Sequence, residues 1–245
     1  MSATPRLGSD QSFYETKAPL YDEAYNKVVL RRVLACLPEG GRVLDIGCGS
    51  GVLLAKLGER AGYRAGLELS STAAAAAARV ADHVVNLPVG AELPFEPASF
   101  DVVVCADVLE HLPDPAGALE AVSRFCRPGG AIIVSVPNVA NWQARLRLLR
   151  GIWRYEPVGL FDSGHLRFLT RETLLELVSA SGLVVESCVA ARVPQLSFQV
   201  PPLMRLPKGA RFVLNKSWAV VGYGLACIRP TLFAYQLVCT ARRPV

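Results

Sequence analysis

The chain has 245 residues, of which 51% are hydrophobic and 19% are charged, with a formal net charge of +5. This length suits one domain with a sizeable core, and the composition favours an α/β protein with a buried parallel sheet. The seven cysteines are scattered and none is spaced as C-x-x-C, which excludes a disulfide framework and a cysteine zinc site. We therefore expect no metal site and a reduced, cytoplasmic compartment.

The sequence predicts no targeting segment and no membrane span. Residues 1–10 are polar, and the longest apolar stretch, 218–228, is about half of what a span needs. Basic residues cluster in 145–154 and 205–216, which fits a solvated face, an anionic substrate or peripheral contact with a membrane surface. Nucleic acid is not expected as a partner, because no recognised nucleic-acid module accompanies the charge.

Residues 43–51 read V-L-D-I-G-C-G-S-G and predict a buried strand, a tight turn and the start of a helix. Glycine permits positive φ and a close approach of the backbone to a ligand. The free N–H groups at the helix start favour an anionic group of that ligand. Asp45 adds a negative charge beside the turn, so the ligand is expected to carry both signs.

The glycine spacing distinguishes this turn from a dinucleotide site. The dinucleotide fingerprint is G-x-G-x-x-G, whereas this chain has D-x-G-x-G-x-G. The run resembles motif I of the class I S-adenosylmethionine (SAM)-dependent methyltransferases. The resemblance implies that Asp45, Gly47, Gly49 and Gly51 hold the methionine part of SAM. A turn that only packs a helix on the sheet would have no need of Asp45.

Two further strands extend the resemblance. Strand two is predicted at 64–69, and Glu68 lies near the offset at which an acid meets a ribose hydroxyl in nucleotide-binding α/β folds. The short strand three, 83–85, is followed by Asn86 and Leu87, which match the adenine side of the cofactor site. Many relatives have Asp where this chain has Asn86.

Strand four, predicted at 101–105, leads into D-V-L-E-H-L at 107–112. The carboxyl ends of parallel strands line the ligand crevice, so Asp107, Glu110 and His111 are expected near the transferred methyl group. Asp107 is assigned to the cofactor, and His111 is either catalytic or a buried histidine that orients this loop.

The chain after residue 138 is expected to form the acceptor side. It begins with a basic amphipathic helix at 143–150, and the run F-D-S-G-H-L-R-F-L-T at 161–170 resembles a bacterial subgroup related to the MetW-like and UbiG-like proteins. His165 is the first candidate for a general base because its ordinary pKa is near neutrality. Asp162 could orient it, and Arg167 could pair with Asp162 or an anionic acceptor. Alternatively, these residues form a polar network that fastens the insertion to the sheet.

The N-terminal segment 1–40 contains Tyr14, Tyr21 and Tyr25 and is expected to become helical towards Leu37. Many class I methyltransferases begin with a similar tyrosine-rich lid over the cofactor, and Tyr21 is assigned to that contact. Aromatic packing within an N-terminal helix is the alternative.

The predicted fold is a Rossmann-like, doubly wound seven-stranded sheet, parallel except for an antiparallel last strand, with an α-rich substrate-side insertion. The methyltransferase domain is placed at 41–245, with acceptor-side insertions at 138–170 and 195–230. Strand six is predicted at 183–189 and strand seven at 231–240. The intervening segment would form an interfacial cap, a packed subdomain or a homodimer surface.

The predicted function is SAM-dependent methylation, with O-methylation of a small-molecule, sugar or lipid-linked acceptor as the leading class. A non-catalytic partner protein that keeps the fold, as MetW-like proteins suggest, is the alternative. An NAD(P)-dependent reductase is disfavoured, because the G-x-G-x-x-G fingerprint and a Tyr–Lys pair are both missing.

Overall fold

A computed structural model describes residues 11–21, 27–192, 205 and 207–245. Seven strands form one sheet in the order β3-β2-β1-β4-β5-β7-β6. The strands are β1 Gly41–Ile46, β2 Ala61–Leu67, β3 His83–Val85, β4 Phe100–Ala106, β5 Cys126–Pro137, β6 Val184–Arg192 and β7 Gln236–Arg242. The pairs among β1 to β5 are parallel, and β7 runs antiparallel to both neighbours. The predicted doubly wound sheet with an antiparallel last strand is confirmed.

Nine α-helices are described. They are α1 Gln11–Tyr21, α2 Lys27–Cys36, α3 Val52–Leu57, α4 Ser71–Ala77, α5 Pro115–Ser123, α6 Trp142–Leu149, α7 Arg171–Ala180, α8 Lys208–Ile228 and α9 Pro230–Phe233. Short 3-10 turns follow α3 and β4. None of these described helices is long and apolar enough to cross a membrane.

The core lies on both faces of the sheet, as expected for parallel strands covered by helices. Side chains of a strand alternate between faces, and β4 shows the result. Val103 and Cys105 join the larger apolar cluster, while Val102 and Val104 join the cluster beneath α2 and α3. All four side chains are fully buried. Burial of each valine stabilises the fold by roughly 1.5–3 kcal/mol.

Three helices begin at residues whose side chains cap them. Ser70 caps α4 by accepting a hydrogen bond from the Ala73 N–H, and Asp114 caps α5 through the Gly117 N–H. Thr170 caps α7 in a reciprocal capping box with Thr173. These caps satisfy N–H groups that have no partner within the helix, which fixes where each helix begins.

Strand seven begins later than the sequence predicts. Residues 231–240 were expected to be extended, but α9 occupies Pro230–Phe233 and β7 begins at Gln236. Proline suits the first turn of a helix, and the Asn138 side-chain amide donates to the carbonyl oxygens of Pro230, Thr231 and Ala234. A tertiary contact from Asn138 therefore stabilises this helical turn just before β7.

Two other predicted boundaries shift. Strand two spans Ala61–Leu67 rather than 64–69, so Glu68 lies just past its end. The 195–230 segment contains the 21-residue helix α8. Of that segment, 195–204 and Leu206 lie outside the described residues.

The order of the strands creates a crevice. The chain proceeds from β1 outward to β3, then returns to β4 beside β1 and continues to β5. At such a switch point the loops after the two central strands diverge, and ligands bind at the carboxyl ends. The loops after β1, β2 and β4 meet at this edge.

Candidate active site

The glycine turn after β1 requires glycine at two of its positions. Gly47, Gly49 and Gly51 have φ values of 70°, 54° and 82°. A Cβ on Gly47 would lie 2.6 Å from a methyl of Val108, and one on Gly51 would lie 2.7 Å from a methyl of Val80. The turn therefore brings its backbone close to the loop after β4 and to the end of α4.

Glu68 links the turn to the loop after β2. Its Oε2 accepts a hydrogen bond from the Gly49 N–H at 2.9 Å, and its Oε1 accepts one from the Ser70 N–H at 2.8 Å. The exposed Asn86 donates its Nδ2 to the carbonyl oxygens of Glu68 and Leu69 at 2.7 and 2.9 Å. Asn86 thus braces this loop, and Leu87 beside it is 38% exposed.

Asp45 and Asp107 end the two central strands. Asp45 is buried, and burial together with the charge of Glu68 raises its pKa to about 8. Asp107 has a φ of 56°, which is uncommon for a residue with a side chain. Its carboxylate accepts hydrogen bonds from the Ser135 hydroxyl at 3.1 Å and from the Gln236 side-chain amide. Asp107 therefore ties the end of β4 to β5 and β7.

Helix α1 lies across the crevice. The Glu15 carboxylate accepts hydrogen bonds from the Ser70 hydroxyl at 2.8 Å, from the Ser71 hydroxyl at 2.7 Å and from the Thr72 N–H at 3.3 Å. The bond from Ser71, followed by those from Thr72 and Ser70, lowers the pKa of Glu15 to about 2. The sequence analysis did not identify Glu15; its partners are the N–H groups and hydroxyls at the start of α4.

The other side of α1 reaches two histidines. The rings of Tyr14 and His111 are 6.0 Å apart, and Phe13 lies against Gly164. Burial, and then the charges of Glu110 and Asp162, raise the pKa of the Tyr14 hydroxyl well above its ordinary value. Tyr14 therefore remains a neutral hydrogen-bonding group beside the histidines.

His111 and His165 form a buried pair although they are distant in sequence. Their rings are 4.7 Å apart and meet edge to face. The Nδ1 of His111 lies 3.0 Å from the Gly164 carbonyl, and the Nδ1 of His165 lies 3.1 Å from the Leu160 carbonyl. A carbonyl oxygen only accepts, so each neutral ring carries its proton on Nδ1 and has its lone pair on Nε2.

Glu110 completes the cluster. Its side chain is buried, and its Oε1 lies 3.9 Å from Nε2 of His165. Burial, and then the charge of Asp107, raise the pKa of Glu110 well above 4.5. Its backbone carbonyl accepts the N–H groups of Leu166 and Arg167 at 2.8 and 3.0 Å, which fastens the segment carrying His165 to the loop after β4.

Asp162 shapes the turn that carries His165. It is fully buried; its Oδ1 accepts the Gly164 N–H at 2.7 Å, and its carbonyl accepts the His165 N–H at 3.0 Å. Arg167 donates to the carbonyl of Pro113 at 2.6 Å. The contacts of Asp162 and Arg167 thus hold the insertion in place beside the cluster.

Comparison with known proteins identifies the family of this chain. A family model described as "Methyltransferase domain" matches residues 20–188. The chain belongs to this methyltransferase family. It is 31% identical to the "Ubiquinone biosynthesis O-methyltransferase" of Paracidovorax citrulli (strain AAC00-1), with 78% of each protein covered. Identity to the protein of the same name from Aeromonas salmonicida (strain A449) is 32%, over 65% of this chain and 70% of that protein.

Solved structures show the same fold. A SAM-dependent methyltransferase from Thermotoga maritima matches 95% of this chain and 98% of its own, with a TM-score of 0.60 and 19% identity. Phosphoethanolamine N-methyltransferase 2 of Haemonchus contortus, in complex with SAM, matches 89% of this chain and 52% of its own, with a TM-score of 0.55 and 20% identity. The protein is a SAM-dependent methyltransferase of class I, as its sequence predicted.

The crevice of the methyltransferase fits SAM. Positive φ at Gly47, Gly49 and Gly51 turns the backbone sharply at this edge, and a Cβ at Gly47 or Gly51 would clash with Val108 or Val80. The Glu68 carboxylate supplies negative charge beside an N–H group of the turn, and the buried Asp45 carboxyl can release its proton when a cationic group binds. Together they suit a ligand with an ammonium and a carboxylate. Tyr21 is the last residue of α1, but its side chain lies outside the described residues, as do Asp22 and Tyr25.

The predicted catalytic residues also converge in the methyltransferase. His111, Asp162 and His165 lie in one buried group at the carboxyl end of β4. The sequence named each of these residues separately but did not show that the two histidine rings touch. Glu110 was expected at the crevice because it belongs to the run D-V-L-E-H-L, but no chemical role was predicted for it.

Proposed function

We propose that the methyltransferase transfers the methyl group of SAM to a hydroxyl of a small-molecule, sugar or lipid-linked acceptor. The observation that carries this proposal is the buried cluster of Glu110, His111 and His165 beside the glycine turn. Imidazole and carboxylate groups accept the hydrogen bond of a hydroxyl, and relatives about 30% identical are named O-methyltransferases.

The cofactor would lie along the edge between the glycine turn and Glu68. In this proposal Asp45, Gly47, Gly49 and Gly51 hold its methionine part, and Glu68 accepts the ribose hydroxyls. The following residues would complete the cofactor site: Asn86 and Leu87 at adenine, Asp107 at the methionine end, and Tyr21 from α1. Because Nδ2 of Asn86 is bonded to backbone carbonyls, its Oδ1 is the atom that suits the adenine amino group.

The reaction needs positioning and removal of one proton. SAM supplies a methyl group on a positively charged sulfur, which is already a good leaving group. The acceptor oxygen attacks the methyl carbon in line with the C–S bond, the O–C bond forms as the C–S bond breaks, and the electron pair stays on sulfur. His165 takes the hydroxyl proton on Nε2, because its Nδ1 is held by the Leu160 carbonyl.

The acceptor would enter past an aromatic wall. Phe168 lies 4.8 Å from Trp153, 6.2 Å from His165 and 6.5 Å from Tyr155, measured between ring centroids. Such rings favour an acceptor that has a flat or apolar part. We propose α1 as the lid that covers the site once both ligands are bound.

An acceptor screen with methyl-labelled SAM tests the proposed function. Phenols, sugars and long-chain phenols are incubated with the full-length enzyme, and the products are examined by mass spectrometry for methoxy groups. We expect an O-methylated product and loss of cofactor binding in Asp45→Ala, measured by calorimetry with S-adenosylhomocysteine. Methylation only at nitrogen or carbon would contradict the hydroxyl assignment.

Single-turnover rates test the histidines. We expect His165→Ala and His111→Ala to lower the rate by about 10²–10⁴-fold, the usual contribution of acid–base catalysis. His83→Ala is the matched control, because the exposed His83 lies on β3 against Phe95. An unchanged rate in both site variants would rule out catalysis by this cluster.

A further inference from the structure

We propose that Glu110, His111 and His165 bind one divalent transition-metal ion, and that this ion holds the acceptor hydroxyl. This inference rests on the proposed function, because it assigns the means by which the same site binds and activates the hydroxyl. It departs from the sequence-based expectation of no metal site. The ligands come from two distant segments, so their spacing in sequence gives no sign of a shared site.

The geometry of the three side chains suits a metal centre. Each offers one ligand atom, and these atoms all lie within 4.8 Å of one another. All three residues are buried, so an ion there would be shielded from competing water. Small rotations would bring the atoms to the metal–ligand distances of about 2.0–2.2 Å found for imidazole and carboxylate.

Both imidazoles are oriented as metal ligands are. A metal-bound histidine usually donates its second ring N–H to a carbonyl or carboxylate, which fixes the tautomer and the ring orientation. Here Nδ1 of His111 meets the Gly164 carbonyl, and Nδ1 of His165 meets the Leu160 carbonyl. Each ring therefore directs its lone pair through Nε2, and the two rings are in contact.

Glu110 supplies the second, independent observation. Its side chain is buried, yet neither carboxylate oxygen accepts a hydrogen bond from any other residue that the structure describes. Nε2 of His165 is 3.9 Å from Oε1, too far for a hydrogen bond. A buried carboxylate without partners is strongly disfavoured, and a bound cation would compensate for it.

The donor set indicates the class of ion. Two imidazoles and one carboxylate suit Zn²⁺, Fe²⁺, Co²⁺ or Mn²⁺ better than Ca²⁺ or Mg²⁺, which prefer oxygen ligands throughout. Three protein ligands leave at least one coordination position for the acceptor oxygen. A bound ion would lower the pKa of the acceptor hydroxyl, which would pass its proton to a water molecule as the acceptor enters the site. The oxygen would then attack the methyl carbon as described above, with His165 remaining a ligand rather than acting as the base.

Metal binding is measured directly on the untagged full-length protein after treatment with a chelator. Zn²⁺ and Co²⁺ are titrated by calorimetry, and bound Co²⁺ is examined by absorption spectroscopy. We expect one ion per chain and no thiolate-to-metal charge-transfer band, which distinguishes this site from the seven free cysteines. Glu110→Gln and His165→Ala should weaken binding by at least about 100-fold, more than typical losses of supporting groups.

Controls separate the metal from the fold and from the proposed function. His83→Ala, which removes the third histidine of the chain, should bind the ion like the wild type, and every variant should still bind S-adenosylhomocysteine.

No binding of Zn²⁺ or Co²⁺, or binding unaffected by Glu110→Gln, would overturn the metal site. If methoxy product still forms in the presence of chelator, the ion does not hold the acceptor hydroxyl. The proposed hydroxyl methylation then stands, with His165 as the base. If the ion binds but only nitrogen or carbon is methylated, the proposed function fails while the metal site stands.

Discussion

Gly51 is a residue whose replacement tests the glycine turn. It combines a φ of 82° with a Cβ position 3.0 Å from the Cα of Ala77, so an added methyl meets backbone as well as side chain. We expect Gly51→Ala to lower the free energy of unfolding by about 2–4 kcal/mol, from left-handed strain and overpacking together. Urea denaturation measures this change.

Gly182→Ala is the matched control for Gly51→Ala. Gly182 has a φ of 74°, but a Cβ there would meet nothing within 4 Å. It should lose only the strain of the left-handed conformation, about 1–2 kcal/mol. Equal losses in the two variants would show that the turn is not tightly packed against α4.

Asp45 predicts a pH dependence of stability. Burial and then the charge of Glu68 raise its pKa from 3.8 to about 8, while the Cys105 thiol nearby stays neutral because burial raises its pKa too. The folded protein without cofactor therefore keeps a proton that the unfolded chain releases above pH 4. Such a group stabilises the fold least at high pH, so its contribution declines as pH rises from about 4 to about 8.

Asp45→Asn removes this titration and provides the test. Unfolding free energies are measured by urea denaturation at several values between pH 5 and pH 8. The wild type should lose stability relative to the variant by at most about 1.4 kcal/mol per pH unit. A constant difference between the two proteins over this range would contradict the assigned pKa.

The residues of the site were predictable to different degrees. Asp45 and Glu68 could be named because Asp45 lies near the end of one apolar strand and Glu68 follows another, and the carboxyl ends of parallel strands share one edge. The contact between His111 and His165 could not, because it depends on how the insertion folds back onto the Glu110 carbonyl. Glu15 was missed for the same reason. Its hydrogen-bond partners lie after β2, far from α1 in the sequence, so the contact depends on how α1 packs onto the sheet.

At the scale of elements, Glu15 is the side chain that joins α1 to the start of α4. Glu15 binds the start of α4, where the free N–H groups and the helix dipole favour a negative charge. We expect Glu15→Gln to loosen α1, which would appear as faster hydrogen exchange in residues 11–21 and weaker binding of S-adenosylhomocysteine. Glu39→Gln, at an exposed acid before β1, is the control and should change neither quantity.

The pH range of this contact follows from the lowered pKa of Glu15. The carboxylate stays ionised down to about pH 2, so α1 should remain docked at pH 5 and be released only as the pH falls towards 2. If Glu15→Gln leaves exchange in residues 11–21 unchanged, Glu15 does not hold α1, and the lid assignment loses its main support.

Elements were predicted best where the sequence is apolar and least well where tertiary contacts decide. Strands β3 and β4 fall within about a residue of their predicted positions, because each is a short apolar run between turn signals. The expected strand from residue 231 is partly helical, and Asn138 stabilises this turn by donating to the carbonyl oxygens of Thr231 in α9 and of Ala234 just after it. No local sequence pattern in residues 230–234 predicts that contact.

At the scale of the whole molecule, apolar and basic surface gathers on the acceptor side. Leu149 is 84% exposed and Val220 of α8 is 74% exposed, and the rings of Trp142 and Trp218 join their two helices. Arg150 and Arg154 are exposed nearby, and the sequence has no acidic residue between 205 and 229. This combination suits an anionic membrane surface, which would bring a lipid-linked acceptor to the aromatic wall.

Binding to vesicles tests that orientation. The full-length protein is sedimented with vesicles of phosphatidylglycerol and phosphatidylcholine at low salt, and we expect binding that weakens as salt is added, because exposed charges are then screened. Leu149→Glu should reduce binding by about tenfold. It removes an apolar side chain that would insert into the membrane, and it adds a negative charge that the anionic lipids repel. Val184→Glu is the matched control, because Val184 is also exposed but lies on β6 at the opposite end of the sheet. Equal binding by both variants, or a stable dimer in size-exclusion chromatography that Leu149→Glu disrupts, would assign this surface to a second copy of the chain instead.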